Sequence, residues 1–193
     1  MSNKYSISEF TKNVYSLILT KLFFKHARLI RRPVYIRGKK SIVGGNNLTL
    51  GRFCRFDLDG NKKTLFIGDN CEFGDMTHIV ALNNVQIGNN VLIASKVFIS
   101  DTSHGSYKGI DQDLPSIPPN KRKLISDEVV IGNNVWIGEN VVILAGVHIG
   151  DGCIIGANSV VTKNIPNNTI AAGVPVKFIK LYNNELKEWI KYD

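Results

Sequence analysis

No stretch of this 193-residue chain approaches the roughly 18 uninterrupted apolar residues that a membrane-spanning helix needs. The N-terminus also lacks the form of a secretory signal. Lys12, Lys21 and Lys25 interrupt its apolar positions, and no small-residue cleavage site follows. A cytoplasmic location is the resulting expectation. Cysteine is scarce, and three residues, an odd number, argue against a disulfide framework. Cys54, Cys71 and Cys153 stand far apart with no CxxC pair, so no metal site is expected. Helix-turn-helix, RNP and zinc-finger patterns are missing, which leaves nucleic acid without support as a partner. Acidic residues are nearly absent from the first forty positions, where ten Lys and Arg, Lys4 among them, face only Glu9. The net charge of +8 is therefore an N-terminal property, suited to anionic lipid or to a phosphorylated substrate.

What is present is a period of six. Aliphatic residues recur at Ile125, Ile131, Ile137, Ile143, Ile149, Ile155 and Val161, often followed by glycine. The fifth residue of each unit is small or β-branched, as at Val135, Val141, Val147 and Ser159. An earlier array runs through Ile67, Phe73 and Ile79, then Ile87, Ile93 and Ile99, and a looser one passes through Ile42, Leu50 and Phe56. Six fits neither an amphipathic helix nor a long alternating strand. It suits short strands joined by tight corners, where glycine or Asn-Asn supplies the positive φ. Three units make one triangular coil, and stacked coils make an all-β solenoid, a parallel β-helix. All three cysteines fall at the fifth position and read as small buried thiols.

Two interruptions stand out. The interval from Ile79 to Ile87 is two residues too long, so Asn83-Asn84 should bulge. Between Ile99 and Ile125 the chain leaves the solenoid, with residues 105–124 extruded and stiffened by Pro115, Pro118 and Pro119. Long ordered loops on a rigid scaffold usually carry function. The ends need caps against exposed edges. Ser6 to Ile30 reads as a helix opened by a Ser6/Glu9 capping box, with an apolar stripe of Ile7, Phe10, Val14, Ile18 and Leu22. Asn184 to Tyr192 reads as a short C-terminal helix. The organisation expected is a basic helical segment at 1–34, a β-helix domain at 35–182 and a C-terminal helix at 183–193.

With the repeat and loop in hand, the chain resembles the hexapeptide-repeat acetyltransferases, which include galactoside and maltose O-acetyltransferases and those of lipopolysaccharide and capsule biosynthesis. The resemblance rests on VLIASKVFISDTSHGSY, VVIGNNVWIGENVVILAGVHIG and IIGANSVVTKNIPNNTIAAGVPVKFIK. The DxxHGxY segment and the basic N-terminus look most like the surface-polysaccharide branch. The resemblance implies a left-handed β-helix, a homotrimer with active sites between subunits, acetyl-CoA as acyl donor and a saccharide acceptor. In the family pattern the histidine at the position of His104 is the catalytic base. Ala94, Trp136, Ala157, Thr162 and Lys163 fall on positions that contact CoA, and Lys177 and Lys180 fall where basic residues meet its phosphates.

Acetyl transfer to a hydroxyl needs a base near neutral pH, and histidine is the natural one. Register supplies His104 with a neighbour. Asn84 follows Ile79 by five residues, as His104 follows Ile99, so Asn83 and Asn84 should lie beneath His104 and line the acceptor pocket. His78 sits near these coils and is a second acceptor candidate, and Asp101 is a candidate to orient His104. His148, at an outward sixth position, reads as solvent-exposed. Rival readings are N-acetylation of a nucleotide-linked amino sugar and a non-catalytic β-helix scaffold. A γ-type carbonic anhydrase would need three zinc-binding histidines, and the close His-x4-His pair is missing. The basic N-terminal helix suits docking on the inner face of the membrane.

Overall fold

The structure, a computed structural model, describes residues 5–192, so Lys4 lies outside it. Each hexad resolves into the same parts. Its first residue points inward and is fully buried, as at Ile131, Ile137 and Ile143, and so is its fifth, as at Val135 and Val141. The fourth turns the corner: Asn134, Asn140 and Asn158 hold φ of 56°, 59° and 57°. Asparagine tolerates this left-handed conformation better than other side chains. The glycine at the second position serves a different purpose from the one expected. Gly88 and Gly138 lie outside the left-handed region, but a Cβ on Gly88 would stand 2.6 Å from the Gly132 carbonyl oxygen. A Cβ on Gly138 would meet the Ala157 amide nitrogen at the same 2.6 Å. These glycines are needed because successive coils touch there.

The strands form three parallel faces of a prism. Leu29–Ile30 pairs with Thr49–Leu50, and this first face continues through Glu72–Phe73, Leu92–Ile93, Trp136–Ile137, Ile154–Ile155 and Thr169–Ala172. The second runs from Tyr35–Arg37 through Arg55–Leu58, His78–Ala81, Phe98–Ser100 and Val142–Ile143 to Val160–Val161. The third runs from Ile42–Gly44 through Leu65–Ile67, Val85–Ile87 and Val129–Ile131 to His148–Ile149. In-register ladders such as Ile79, Ile99, Ile143 and Val161 fill the interior. Each such side chain contributes about 1.5–3 kcal/mol by leaving water. The cysteines are buried at their corners, and the Cys71 and Cys153 thiols donate to the Gly88 and Pro166 carbonyls at 3.1 and 2.9 Å.

Three expectations need correction. Ile125 does not open the later array: Leu124–Ser126 pairs antiparallel with Thr102–His104, and the solenoid resumes at Val129. The spacing to Ile131 matched the period by coincidence. The C-terminal segment is not helical. Lys177–Asn183 and Glu188–Lys191 form an antiparallel hairpin that extends the first face. Its aromatics pair across the hairpin, with Tyr182 against Trp189 and Phe178 against Tyr192 at ring distances of 5.4 and 5.0 Å.

The N-terminal helix, α1, spans Ile7–Phe23 and so ends earlier than Ile30. The capping box is present, with Glu9 reaching back to the Ser6 amide at 3.0 Å. Its apolar stripe, however, does not face the solenoid. The buried residues of α1 are Ser16 and Thr20. The Thr20 hydroxyl accepts from the Ile30 amide at 2.9 Å, and Ser16 Oγ accepts from the Arg32 amide at 3.1 Å. A small polar face docks where backbone amides at the first corner need acceptors, and the apolar stripe turns outward.

Candidate active site

The chain leaves the solenoid at the corner between its second and third faces. Asp101 stands at this exit, wholly buried. Its carboxylate accepts from the backbone amides of Leu82, Asn83 and Asn84 at 3.1, 2.7 and 2.8 Å, and from the Thr102 hydroxyl at 2.6 Å. The extra residues of the 79–87 interval are thus wound around one carboxylate. Asp101 was expected to orient His104, but its oxygens serve this bulge instead.

From Thr102 the chain runs outward as the antiparallel ribbon with Leu124–Ser126, placing His104 opposite Leu124. The hexad register ends at Ser100, which still pairs with Val80. His104 therefore does not stack on Asn84, as the count of five residues implied. Among the described residues the His104 imidazole takes no hydrogen-bond partner, and the side chain is exposed. Its backbone, by contrast, is held. The Tyr107 hydroxyl donates to the His104 carbonyl, and Arg122 Nη1 donates to that hydroxyl at 2.7 Å. Arg122 also donates to the carbonyls of Ile117 and Pro115 at 2.9 and 3.3 Å, gathering the loop around one guanidinium.

Beside the ribbon root lies an open groove of about 700 Å³, lined by Lys63, Phe66, Asn83, Asn84, Gln86, Ser126, Asp127 and Glu128. Asn84 is its most informative residue. Asn84 Nδ2 donates to Glu128 Oε2 at 3.0 Å, while its Oδ1 is buried without any partner. Buried acceptors are seldom left so. Glu128 also stands 3.4 Å from His148 Nε2, so that exposed histidine belongs to the rim of this region. Glu128 and Ser126 escaped the sequence reading because Ile125 seemed to place them inside a hexad.

His78 goes elsewhere. Its Nε2 meets Asp57 Oδ2 at 3.0 Å, on the second face, and its ring lies 5.2 Å from that of Phe98. Asp57 also binds Arg55 Nε at 2.7 Å and stands 3.4 Å from Arg37. Burial tends to raise the Asp57 pKa, but the bonds from Arg55 and His78 outweigh it and hold it below the ordinary carboxylate value.

The residues matched to CoA positions sort into two places. Trp136 is half-exposed on the first face, in line with Leu92 and Ile154. Ala94 and Ala157 lie at the adjoining corner, where Gly74 and Gly138 bring the coils into contact. At the far end, residues 173–176 fold over Val160, through the Val160 amide to Gly173 and the Val176 amide to Val160. This brings Lys163 Nζ to 4.3 Å from the Phe178 ring, beside Thr162 and Lys177. Lys180 lies further along the same strand, opposite Ile170 and Lys191. Within one chain, Trp136 and Asn84 belong to different sides of the prism, so one copy does not bring them together.

Residues 128–163 match the family described as bacterial transferase hexapeptide (six repeats). The putative lipopolysaccharide biosynthesis O-acetyl transferase WbbJ of Escherichia coli (strain K12) is 47% identical over 192 residues, covering 99% of this chain and 97% of that protein. Among solved structures, a point mutant of AntD, an N-acyltransferase from Bacillus cereus in complex with dTDP-4-amino-4,6-dideoxyglucose and coenzyme A, superposes with a TM-score of 0.70. It is 25% identical and the match covers 96% of this chain and 94% of that one. Galactoside acetyltransferase in complex with coenzyme A gives 0.61 at 34% identity, covering 81% and 73%.

Proposed function

Because the chain belongs to the hexapeptide-repeat acetyltransferases, enzymes built on a left-handed β-helix, we propose that it moves an acetyl group from acetyl-CoA to a sugar hydroxyl of a surface polysaccharide precursor. The observation that carries the reading is the pairing of an exposed, backbone-anchored histidine, His104, with an open groove lined by Asn83, Asn84, Asp127 and Glu128 at the root of the same ribbon. In this mechanism His104 takes the proton from the acceptor hydroxyl as its oxygen attacks the thioester carbonyl. The tetrahedral adduct then collapses with cleavage of the C–S bond. The imidazolium returns its proton to the departing CoA sulfur, leaving the acetyl ester. Asn83 and Asn84 hold the saccharide in the groove that they line.

Acetyl-CoA is a substrate here. The half-exposed Trp136, beside a corner of small residues, offers an extended pantetheine arm both an aromatic wall and accessible backbone. Lys163, Lys177 and Lys180 supply positive charge for its phosphates. Lysine does so as a point charge and without the bidentate geometry of arginine. Since Trp136 and Asn84 occupy different sides of one prism, the complete site forms between copies. A closed homotrimer is the arrangement that supplies it three times. The basic N-terminal segment holds this trimer at the inner, anionic face of the membrane, where a lipid-linked saccharide is presented.

The test is the mass of polysaccharide repeat units from cells expressing the wild type or His104→Ala. An added acetyl group with wild type alone, removed by mild alkali, is expected; no difference between the two would refute the O-acetyl reading. The likeness to an N-acyltransferase holding a nucleotide-linked amino sugar favours one second reading, amide formation on such a substrate. An alkali-stable acetyl group would establish that alternative.

A further inference from the structure

The N-terminal end of the solenoid carries two apolar features that the reaction does not use. The first is the outward arc of α1. Ile7, Phe10, Ile18 and Leu22 are 86%, 60%, 57% and 63% exposed, on the part of the helix surface turned away from the buried Ser16 and Thr20. The second is a pocket of about 340 Å³ in the open end of the prism. Core side chains Ile30, Leu50 and Phe56 form its floor, Leu22 and Phe23 of α1 form one wall, and Lys25, His26 and Lys39 stand at its lining. Because Leu22 belongs to both, arc and pocket make one continuous apolar surface.

We propose that this end of the molecule is a lipid-docking surface, which lays the α1 arc into an anionic bilayer and seats an acyl chain in the end pocket. The occupant is argued from charge. The first forty residues hold ten basic side chains against Glu9, Lys25 and Lys39 of them lining the pocket, and Glu9 is engaged in the Ser6 cap. Among the described residues, Lys12, Lys25, Arg31 and Lys40 make no ion pair within the protein, whereas Arg28 and Arg37 are matched by Glu72 and Asp57. An amphipathic helix with wide apolar exposure and unmatched cations beside it has the chemistry of an interfacial anchor. The pocket opens along the prism axis, so copies packed side by side on the prism faces leave it free. The inference rests on the membrane association proposed above and adds the apolar contact to what charge alone would supply. No helix among the described residues is long and apolar enough to cross a membrane, which fits docking in the interface plane.

The experiment is flotation of the full chain with vesicles of equimolar phosphatidylcholine and phosphatidylglycerol, with pure phosphatidylcholine as control. The wild type is compared with an Ile18→Asn/Leu22→Asn double variant. Both sites are exposed, so the variant should keep its fold and its turnover of a soluble acceptor. Wild-type flotation with the anionic vesicles that survives high salt, and falls about tenfold or more in the variant, is the expected result. A Phe10→Trp protein whose added fluorescence is quenched by lipids brominated in the acyl chain would support the same insertion. Equal flotation of wild type and variant, abolished by salt, would overturn the lipid-docking surface and leave a charge-only association. No flotation of the wild type would overturn both. Loss of the oligomer in the variant, seen by light scattering, would instead assign the arc to a contact between copies.

Discussion

The carboxylate of Asp101 and the backbone of Asn84 are locked together across one coil, Oδ2 of the wholly buried Asp101 accepting the Asn84 amide at 2.8 Å. The neighbouring amides of Leu82 and Asn83 converge on the same carboxylate. The loop exit that carries His104 and the groove residue Asn84 are therefore set by a single side chain.

Replacing Asp101 by Asn substitutes a neutral amide for a carboxylate that accepts four bonds. A hydrogen bond to a charged group contributes roughly 1.5–3 kcal/mol, and at least one buried amide would lose its acceptor. Asp101→Asn should unfold at a clearly lower urea midpoint. Its kcat should fall, while affinity for acetyl-CoA, bound elsewhere, should hold. A variant with wild-type stability and turnover would refute the locking role.

Removing the proposed base should be severe and local. His104→Ala should lower kcat by about 10²–10⁴-fold, the range for loss of general-base assistance, with little change in thermal stability. Among the described residues, His104 makes no side-chain bond whose loss would matter to the fold. Steady-state kinetics and a melting curve on the same preparation would check both halves.

Trp136→Ala tests the donor site. The side chain is half-exposed and packs no interior, so stability should barely move. Loss of an aromatic wall against the pantetheine arm should raise KM for acetyl-CoA by about tenfold, equivalent to ~1.4 kcal/mol. Unchanged KM would exclude Trp136 from the donor groove.

Gly88→Ala should destabilise without touching any site. Its Cβ would stand 2.6 Å from the Gly132 carbonyl oxygen, and the coil above would have to lift. Overpacking of this kind costs about 1–3 kcal/mol, visible as a lower melting temperature. An unchanged melting temperature would show that the coils can separate there at little cost.

Cys54 offers a titration. Burial pushes its thiol up to about 11, and the nearby Asp75 acts in the same direction. In the unfolded chain the thiol ionises at its ordinary, lower pKa. Stability from this group is therefore fully present below that value, and is lost as pH rises towards about 11. Native protein at mildly alkaline pH should resist iodoacetamide at Cys54, whereas protein in denaturant should react fully.

The hexads were legible because their cause is local. An aliphatic residue every six positions, with asparagine or glycine at the corner, specifies a short strand and a turn wherever it falls, and Ile137 or Ile143 needs no distant information to face inward. The same regularity misled at Ile125, where the spacing to Ile131 fitted although the chain was still in the ribbon. Likewise, the apolar stripe of α1 was plain in the sequence, but its direction was not. That depended on Ser16 and Thr20 meeting the free amides of Arg32 and Ile30.

By itself, then, the sequence determined the repeating coil, the bulge at Asn83-Asn84, the long exit loop and the basic charge of the N-terminus, all of which follow from neighbours within a few residues. Only the tertiary structure decided that Asp101 serves the bulge and not His104, that Glu128 joins Asn84, and that His78 pairs with Asp57. It also turned the C-terminal segment into a hairpin on the first face. The side-chain pairings depend on which unsatisfied donor or acceptor lies on the neighbouring coil, 18, 21 or 44 residues distant in sequence, and periodicity carries no record of that.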